Sequence, residues 1–206
     1  MSLLLILFII VFILCLLIVF LYYNFKRNGS PKKDQHKVMV VLGSGGHTTE
    51  MLSMISKLNP DRYNPFVFLI AETDTQSENL LHNANLPFKY SVQRIKRSRE
   101  VGQSYFSSIF TTLNSFTHSL KTVYMENPSL LLINGPGTCI PIFIWIILLR
   151  SINVLQCKTI FVESFCRVEN LSLSGKIAYP LADVFIVQWK QLLQKHNKAK
   201  YIGILV

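Results

Sequence analysis

The sequence predicts an α/β protein: a parallel sheet covered by helices on both faces, preceded by one transmembrane helix. Three observations carry this expectation. Residues 3–21 are 19 consecutive apolar positions. From Val38 onward, short apolar runs of strand length alternate with stretches of helical periodicity, the pattern of βαβ units. Two glycine-rich turns each follow one of those short runs directly. The 206 residues allow one compact domain plus a small extra element, and 14 Phe with 8 Tyr can bury a core, which excludes a disordered or collagen-like chain. A mean hydropathy of +0.35 beside a formal charge of +10 requires one strongly apolar part and a strongly basic remainder.

The apolar part comes first. As a helix, residues 3–21 (Cys15 included) measure about 28 Å, close to the roughly 30 Å hydrocarbon thickness of a bilayer. Tyr22 and Tyr23 follow, where aromatic rings sit at headgroup level. A cleaved signal peptide would carry a charged leader, a shorter apolar core and a small-residue cleavage site, and none of these stands here. A buried core helix is the other alternative. The expectation is an uncleaved anchor over residues 1–23. Only Met1 and Ser2 precede the run, whereas Lys26, Arg27, Lys32, Lys33 and Lys37 follow it, so the positive-inside rule puts everything after Tyr23 in the cytosol. Residues 24–37, with Gly29, Ser30 and Pro31, read as a basic linker, and residues 38–206 as the cytosolic domain.

Within that domain, residues 38–42 form a buried-strand run bounded by glycine. Residues 48–58 are helical, with Met51, Leu52, Ile55 and Leu58 at the right spacing. Strands follow at 65–71 and 88–92, then a long helix at 107–125, then strands at 130–133, 159–162 and 184–187. Residues 139–149 are wholly apolar and too short to span a bilayer. They read as a buried crossover helix, or as one lying against a membrane or lining a groove for a lipid tail. Cys139, Cys157 and Cys166 show no CxxC or Cys/His spacing, so no metal is expected and the thiols should be reduced and buried. No zinc-finger, RNP or helix-turn-helix pattern points to nucleic acid. Anionic lipid headgroups and a phosphate-bearing substrate account better for the charge.

The chemistry concentrates after strands. Gly43-Ser44-Gly45-Gly46-His47 ends the first strand and opens a helix, so its backbone N–H groups and the helix dipole suit a phosphate. It is neither a dinucleotide fingerprint, since Thr48 stands where a third glycine belongs, nor a Walker loop, since no Lys-Ser/Thr follows. A tight turn that merely needs glycine is the alternative. His47 at the mouth of the turn suits a phosphate contact or a general base, or else it fixes the loop. Thr48 or Thr49 can cap the helix, and Glu50 falls in its first turn, where a carboxylate suits the dipole. Asn134-Gly135-Pro136-Gly137-Thr138 follows a second strand, and two such turns at carboxyl ends of parallel strands converge on one crevice. Glu163-Ser164 ends a third strand, where a carboxylate serves catalysis, hydroxyl binding or structure. Arg94, Lys96, Arg97 and Arg99 crowd together after the 88–92 strand, as solvated surface or as contacts for headgroups or a diphosphate.

Together these residues resemble a family. Residues 40–52 around Gly43–His47 are similar to the membrane-anchoring subunit of the UDP-N-acetylglucosamine transferase of asparagine-linked glycosylation. So are Arg97-Ser98-Arg99-Glu100-Val101, Asn134 to Cys139, Val162-Glu163-Ser164, Arg167-Val168-Glu169 and Ser174-Gly175-Lys176, in the same order along the chain.

The resemblance implies a Rossmann-like domain equivalent to the amino-terminal half of a GT-B glycosyltransferase, like the bacterial enzyme that glycosylates undecaprenyl-linked muramoyl-pentapeptide. It implies addition of the second GlcNAc to dolichyl-diphosphate GlcNAc by an inverting, metal-independent transfer without a cofactor. The place is the cytosolic face of the endoplasmic reticulum membrane or its nuclear-envelope extension. Gly43, Ser44, Gly45, Gly46, Thr48, Gly135, Gly137 and Thr138 inherit contact with the acceptor diphosphate; beside that, Arg97 and Arg99 are expected to contact lipid or phosphate, and His47 or Glu163 is expected to be the base. The donor-binding half is a separate soluble partner. The apolar tail 201–206 is then a docking strand for it, or a last strand of the chain's own sheet. A non-catalytic membrane scaffold that only recruits a transferase is the rival expectation.

Overall fold

The computed structural model describes residues 35–97 and 105–205. The expected anchor over 1–23, the linker up to residue 34, Arg99 and Val206 lie outside the described residues. Among the described residues no helix is long and apolar enough to cross a membrane.

The described chain alternates strand and helix: β1 (His36–Val41), α1 (Gly46–Ile55), β2 (Tyr63–Ala71), α2 (Thr75–Asn83), β3 (Tyr90–Ile95), α3 (Tyr105–Glu126) and β4 (Leu130–Ile133). It continues with α4 (Cys139–Ser151), β5 (Lys158–Val162), α5 (Leu173–Ala178), β6 (Val184–Val187), α6 (Gln191–Lys195) and β7 (Ala199–Tyr201). All seven strands join one parallel sheet in the order β3-β2-β1-β4-β5-β6-β7. Val38 stands beside Phe66 on one side and Leu130 on the other, which puts β1 and β4 at the centre.

Strand alternation divides the core into two layers. Val38, Val40, Phe66, Phe68, Ile70, Leu132 and Val162 face α1 and α2 through Met51, Leu52, Ile55 and Leu81. Met39, Val41, Val67, Leu69, Leu131, Ile133 and Phe161 face α3 and α4 through Val123, Ile142, Phe143 and Ile146. Burial on both faces explains why the central strands read as unbroken apolar runs. Each buried Phe, Leu or Ile here contributes about 1.5–3 kcal/mol.

Residues 139–149 lie within α4, the crossover helix, with Cys139, Pro141, Ile142, Phe143, Ile146 and Leu149 buried. Trp145 ties it to α3: its Nε1 donates to the Phe116 carbonyl at 2.6 Å and the two rings stack at 4.4 Å. Leu148 stays 43% exposed.

Three expectations need correction. The third strand runs Tyr90–Ile95, not 88–92, because Phe88 turns into the core against Phe66 at 4.4 Å while Tyr90 takes the register position opposite Phe66. Burial pushes the Cys139 and Cys157 thiols up to about 12, but Cys166 is exposed rather than buried, since it lies in the loop after β5. Of the apolar tail 201–206 only Tyr201 is in a strand: the last strand of the sheet is Ala199–Tyr201, paired with β6, and residues 202–205 run on beyond it without strand structure. There Leu205 N–H donates to Gln188 Oε1 at 3.0 Å and its carbonyl accepts from Lys57 Nζ at 3.2 Å.

Candidate functional site

Because α1 leaves β1 toward one face and α4 leaves β4 toward the other, the two central strands part their connections at their carboxyl ends, where open α/β sheets form a crevice. The turns of residues 43–47 and 134–138 meet there. Gly43 makes the meeting possible: a Cβ on it would stand 2.6 Å from Pro136 Cγ. Gly45, at φ +71°, takes a conformation that L side chains rarely adopt. A Cβ on Gly45, Gly46 or Gly137 would meet nothing within 4 Å, so the crevice walls are open at these three positions.

The first turn is braced from below. Thr48, expected among the diphosphate contacts, is buried, and its hydroxyl donates to the Gly43 carbonyl at 2.6 Å and meets Ser77 Oγ at 2.7 Å. Ser77 donates in turn to Asp74 Oδ2 at 2.7 Å, which joins the start of α1 to the start of α2. Thr48 and Thr49 N–H both turn back to the Gly45 carbonyl, at 3.2 and 3.4 Å. The amides ahead of them, those of Gly46 and His47, stand where a helix offers no intrahelical acceptor. Ser44 is exposed, and Arg97, arriving from the end of β3, donates Nη2 to Ser44 Oγ at 3.0 Å and Nη1 to Thr73 Oγ1 at 3.3 Å.

His47 stands between the two turns. Its carbonyl accepts from Asn134 Nδ2 at 2.7 Å, and a Cβ on Gly135 would lie 3.7 Å from its Cε1. Burial holds the imidazole below the ordinary histidine value, assisted by the Arg167 charge and opposed by Glu50 and the Asn134 hydrogen bond. It is therefore neutral at pH 7. Thr138 is buried and Gly137 exposed at the head of α4.

Glu163, at the end of β5, is fully enclosed. Its Oε1 accepts from Ser164 N–H at 3.2 Å, and Oε2 accepts from Ser172 N–H at 3.0 Å and Ser172 Oγ at 3.2 Å. Ser172 Oγ also accepts from Gly175 N–H at 2.9 Å, capping α5. Burial raises the carboxyl above the usual range despite these donors.

Two residues take parts here that sequence reasoning did not assign them: Asn134, quoted only as the first residue of the second turn, and Glu50. Asn134, 0% exposed, links β4 to His47; a buried amide ending an apolar strand was the available signal. Glu50, read as a helix-dipole residue, accepts from Ser164 Oγ at 2.9 Å instead of facing solvent. Its Oε2, His47 Nδ1 and Asn134 Oδ1 are buried without a partner among the described residues.

Residues 38–205 match the family described as oligosaccharide biosynthesis protein Alg14 like. The chain is 42% identical to the human protein named UDP-N-acetylglucosamine transferase subunit ALG14, over 84% of this chain and 85% of that one. With the Schizosaccharomyces pombe protein of the same name it shares 36%, over 92% and 93%. Among solved structures it resembles MurG of Acinetobacter baumannii, at TM-score 0.57 and 15% identity, covering 84% of this chain and 44% of MurG. It also resembles UGT89C1 of Arabidopsis thaliana, at TM-score 0.53 and 11% identity, covering 84% and 53%. At such identities the likeness is one of fold, and the chain spans about half of each of those structures.

Proposed function

The chain belongs to the Alg14-like family of oligosaccharide biosynthesis proteins, and from that premise we propose that it is the membrane-anchored, acceptor-binding subunit of a two-chain UDP-GlcNAc transferase. The acceptor is dolichyl-diphosphate GlcNAc, met on the cytosolic face of the endoplasmic reticulum membrane. A soluble subunit brings the UDP-GlcNAc half of the site.

One observation carries this reading: two glycine turns from adjacent central strands meet around His47, with the Cβ directions of Gly45, Gly46 and Gly137 open. Glycine there lets the backbone N–H groups at the heads of α1 and α4 approach diphosphate oxygens, and both helix dipoles favour the charge. Arg97, already over the first turn, adds a cation. His47, neutral at pH 7 because it is half-buried, is the base. It takes the proton of the acceptor's 4-hydroxyl as that oxygen bonds to the anomeric carbon. The bond from that carbon to the UDP oxygen breaks, and UDP leaves with the electron pair. Glu163 has both oxygens engaged by donors, so its part is to hold the head of α5 at the crevice. The exposed Ile202 and Ile204 of the tail support a docking site for the soluble subunit.

The test uses the full chain reconstituted with its soluble partner. His47→Ala should lower kcat by about 10²- to 10⁴-fold with the acceptor KM nearly unchanged. Gly137→Leu should raise the acceptor KM instead. Wild-type turnover in His47→Ala, with recruitment intact, would favour the scaffold.

A further inference from the structure

Two carboxylates reach the crevice, in opposite situations. Glu163 is enclosed and fully engaged. Glu50 follows His47 by three positions on α1, so the two side chains are neighbours on one face of the helix. Its Oε1 is gripped from the end of β5 by Ser164 Oγ at 2.9 Å. Its Oε2 is buried and, among the described residues, accepts nothing; His47 Nδ1 is buried and unpartnered in the same way. Asn134 Nδ2 pins the His47 carbonyl at 2.7 Å and so fixes where the imidazole starts. A buried carboxylate oxygen and a buried ring nitrogen one helical turn apart each carry the desolvation cost of a missing bond, and each is the chemistry the other lacks. Hydrogen bonds of this kind are often long before substrate arrives.

We propose that Glu50 is the positioning residue of His47: its Oε2 receives the Nδ1–H, leaving Nε2 bare toward the acceptor hydroxyl. The inference rests on the reading of His47 as base. When Nε2 takes the acceptor proton, the ring becomes an imidazolium with both nitrogens protonated, and Glu50 stays ionised and offsets the new charge. Ser164 acts one step further out, by holding Oε1. The charged groups that act on the ring are Glu50 from α1 and Arg167 from the loop after β5, with opposite effects. From the β4 turn, the neutral Asn134 bonds the His47 carbonyl and Gly135 lies beside the ring.

The full chain with its soluble partner, in lipid, provides the test, with kcat and acceptor KM followed between about pH 5 and pH 8. Glu50→Gln should lower kcat by about 10- to 100-fold with the acceptor KM within about threefold of wild type. Because the Glu50 charge raises the His47 value, its removal should also move the acid limb of the rate to lower pH. A glutamate acting through its charge alone would move the limb but leave the rate above it and the tautomer of the ring unchanged. Glu50→Asp should recover part of the rate, and Ser164→Ala should lose less than Glu50→Gln. In ¹⁵N-histidine spectra of the same full chain, wild type should show His47 as the Nδ1–H tautomer and Glu50→Gln a mixture of tautomers. If Glu50→Gln keeps the wild-type kcat and acid limb while His47→Ala is inactive, the role of Glu50 is overturned and the base stands. If His47→Ala turns over like wild type, both fall. Should Glu50→Gln unfold, Ser164→Ala decides: an unchanged rate and limb there overturns the proposal.

Discussion

At Gly175 and Gly137 the same kind of substitution should have opposite consequences. A Cβ on Gly175 would press on Ser172 Oγ at 3.0 Å and closer still on Glu163 Oε2. Gly175→Ala should therefore cost about 1–3 kcal/mol, a melting temperature roughly 3–10 °C lower by calorimetry. Gly137 meets nothing, so Gly137→Leu should melt like wild type and betray itself only in the acceptor KM. Glu163 makes a pH prediction whose sign follows from its raised value. Between the unfolded glutamate value and the raised folded one, the native state holds more protons, so this group's contribution to stability falls as pH rises through that window. Glu163→Gln should lack that fall, which paired melting curves across acidic pH will reveal as a narrowing gap between wild type and variant. At this scale the sequence was a partial guide. The glycine turns and His47 were legible as a cluster because a tight strand-to-helix turn with open backbone requires small residues next to the strand. The engagement of Thr48 by Ser77, and of Glu50 by Ser164, was not, since partners 29 and 114 positions apart leave no local pattern.

Elements were legible in proportion to how much apolar surface they bury. β1, β2, β4, β5 and β6 announce themselves because both faces are covered. α2 does not: of Thr75–Asn83 only Ser77 and Leu81 are buried, and the helix is set instead by Asp74 accepting from Ser77 N–H at 3.0 Å and from Ser77 Oγ. The same network reaches Thr48, so the cap of α2 supports the first glycine turn. Asp74→Ala should cost about 1–2 kcal/mol in chemical denaturation and, unlike a surface cap, should also raise the acceptor KM. α5 is equally hard to read at six residues, since its start depends on Ser172 and Glu163 rather than on a periodic face. β3 is displaced for a related reason: Phe88 looks like a strand residue by composition, but it is the plug against Phe66 that precedes the strand.

For the whole molecule, the strand order leaves one crevice at the junction of β1 and β4, and the glycine turns, His47 and Arg97 gather at it or along its rim. The chain spans about half of each of the two solved structures it resembles in fold, and the proposed function assigns the donor half of the site to the soluble subunit. The tail is the candidate contact. Leu205 is held by Gln188 and Lys57, while Ile202 and Ile204 are 61% and 52% exposed. Ile202→Ser with Ile204→Ser should leave the melting temperature unchanged and weaken co-purification of the soluble subunit from detergent extracts; undiminished recovery would remove the tail from the interface. The most direct test of the account is turnover itself. Purified full-length chain is given UDP-GlcNAc and a dolichyl-diphosphate GlcNAc analogue, alone and with the soluble subunit. The account predicts no transfer by this chain alone and steady transfer by the pair, slowed about 10²- to 10⁴-fold by His47→Ala. Transfer by this chain alone would contradict it.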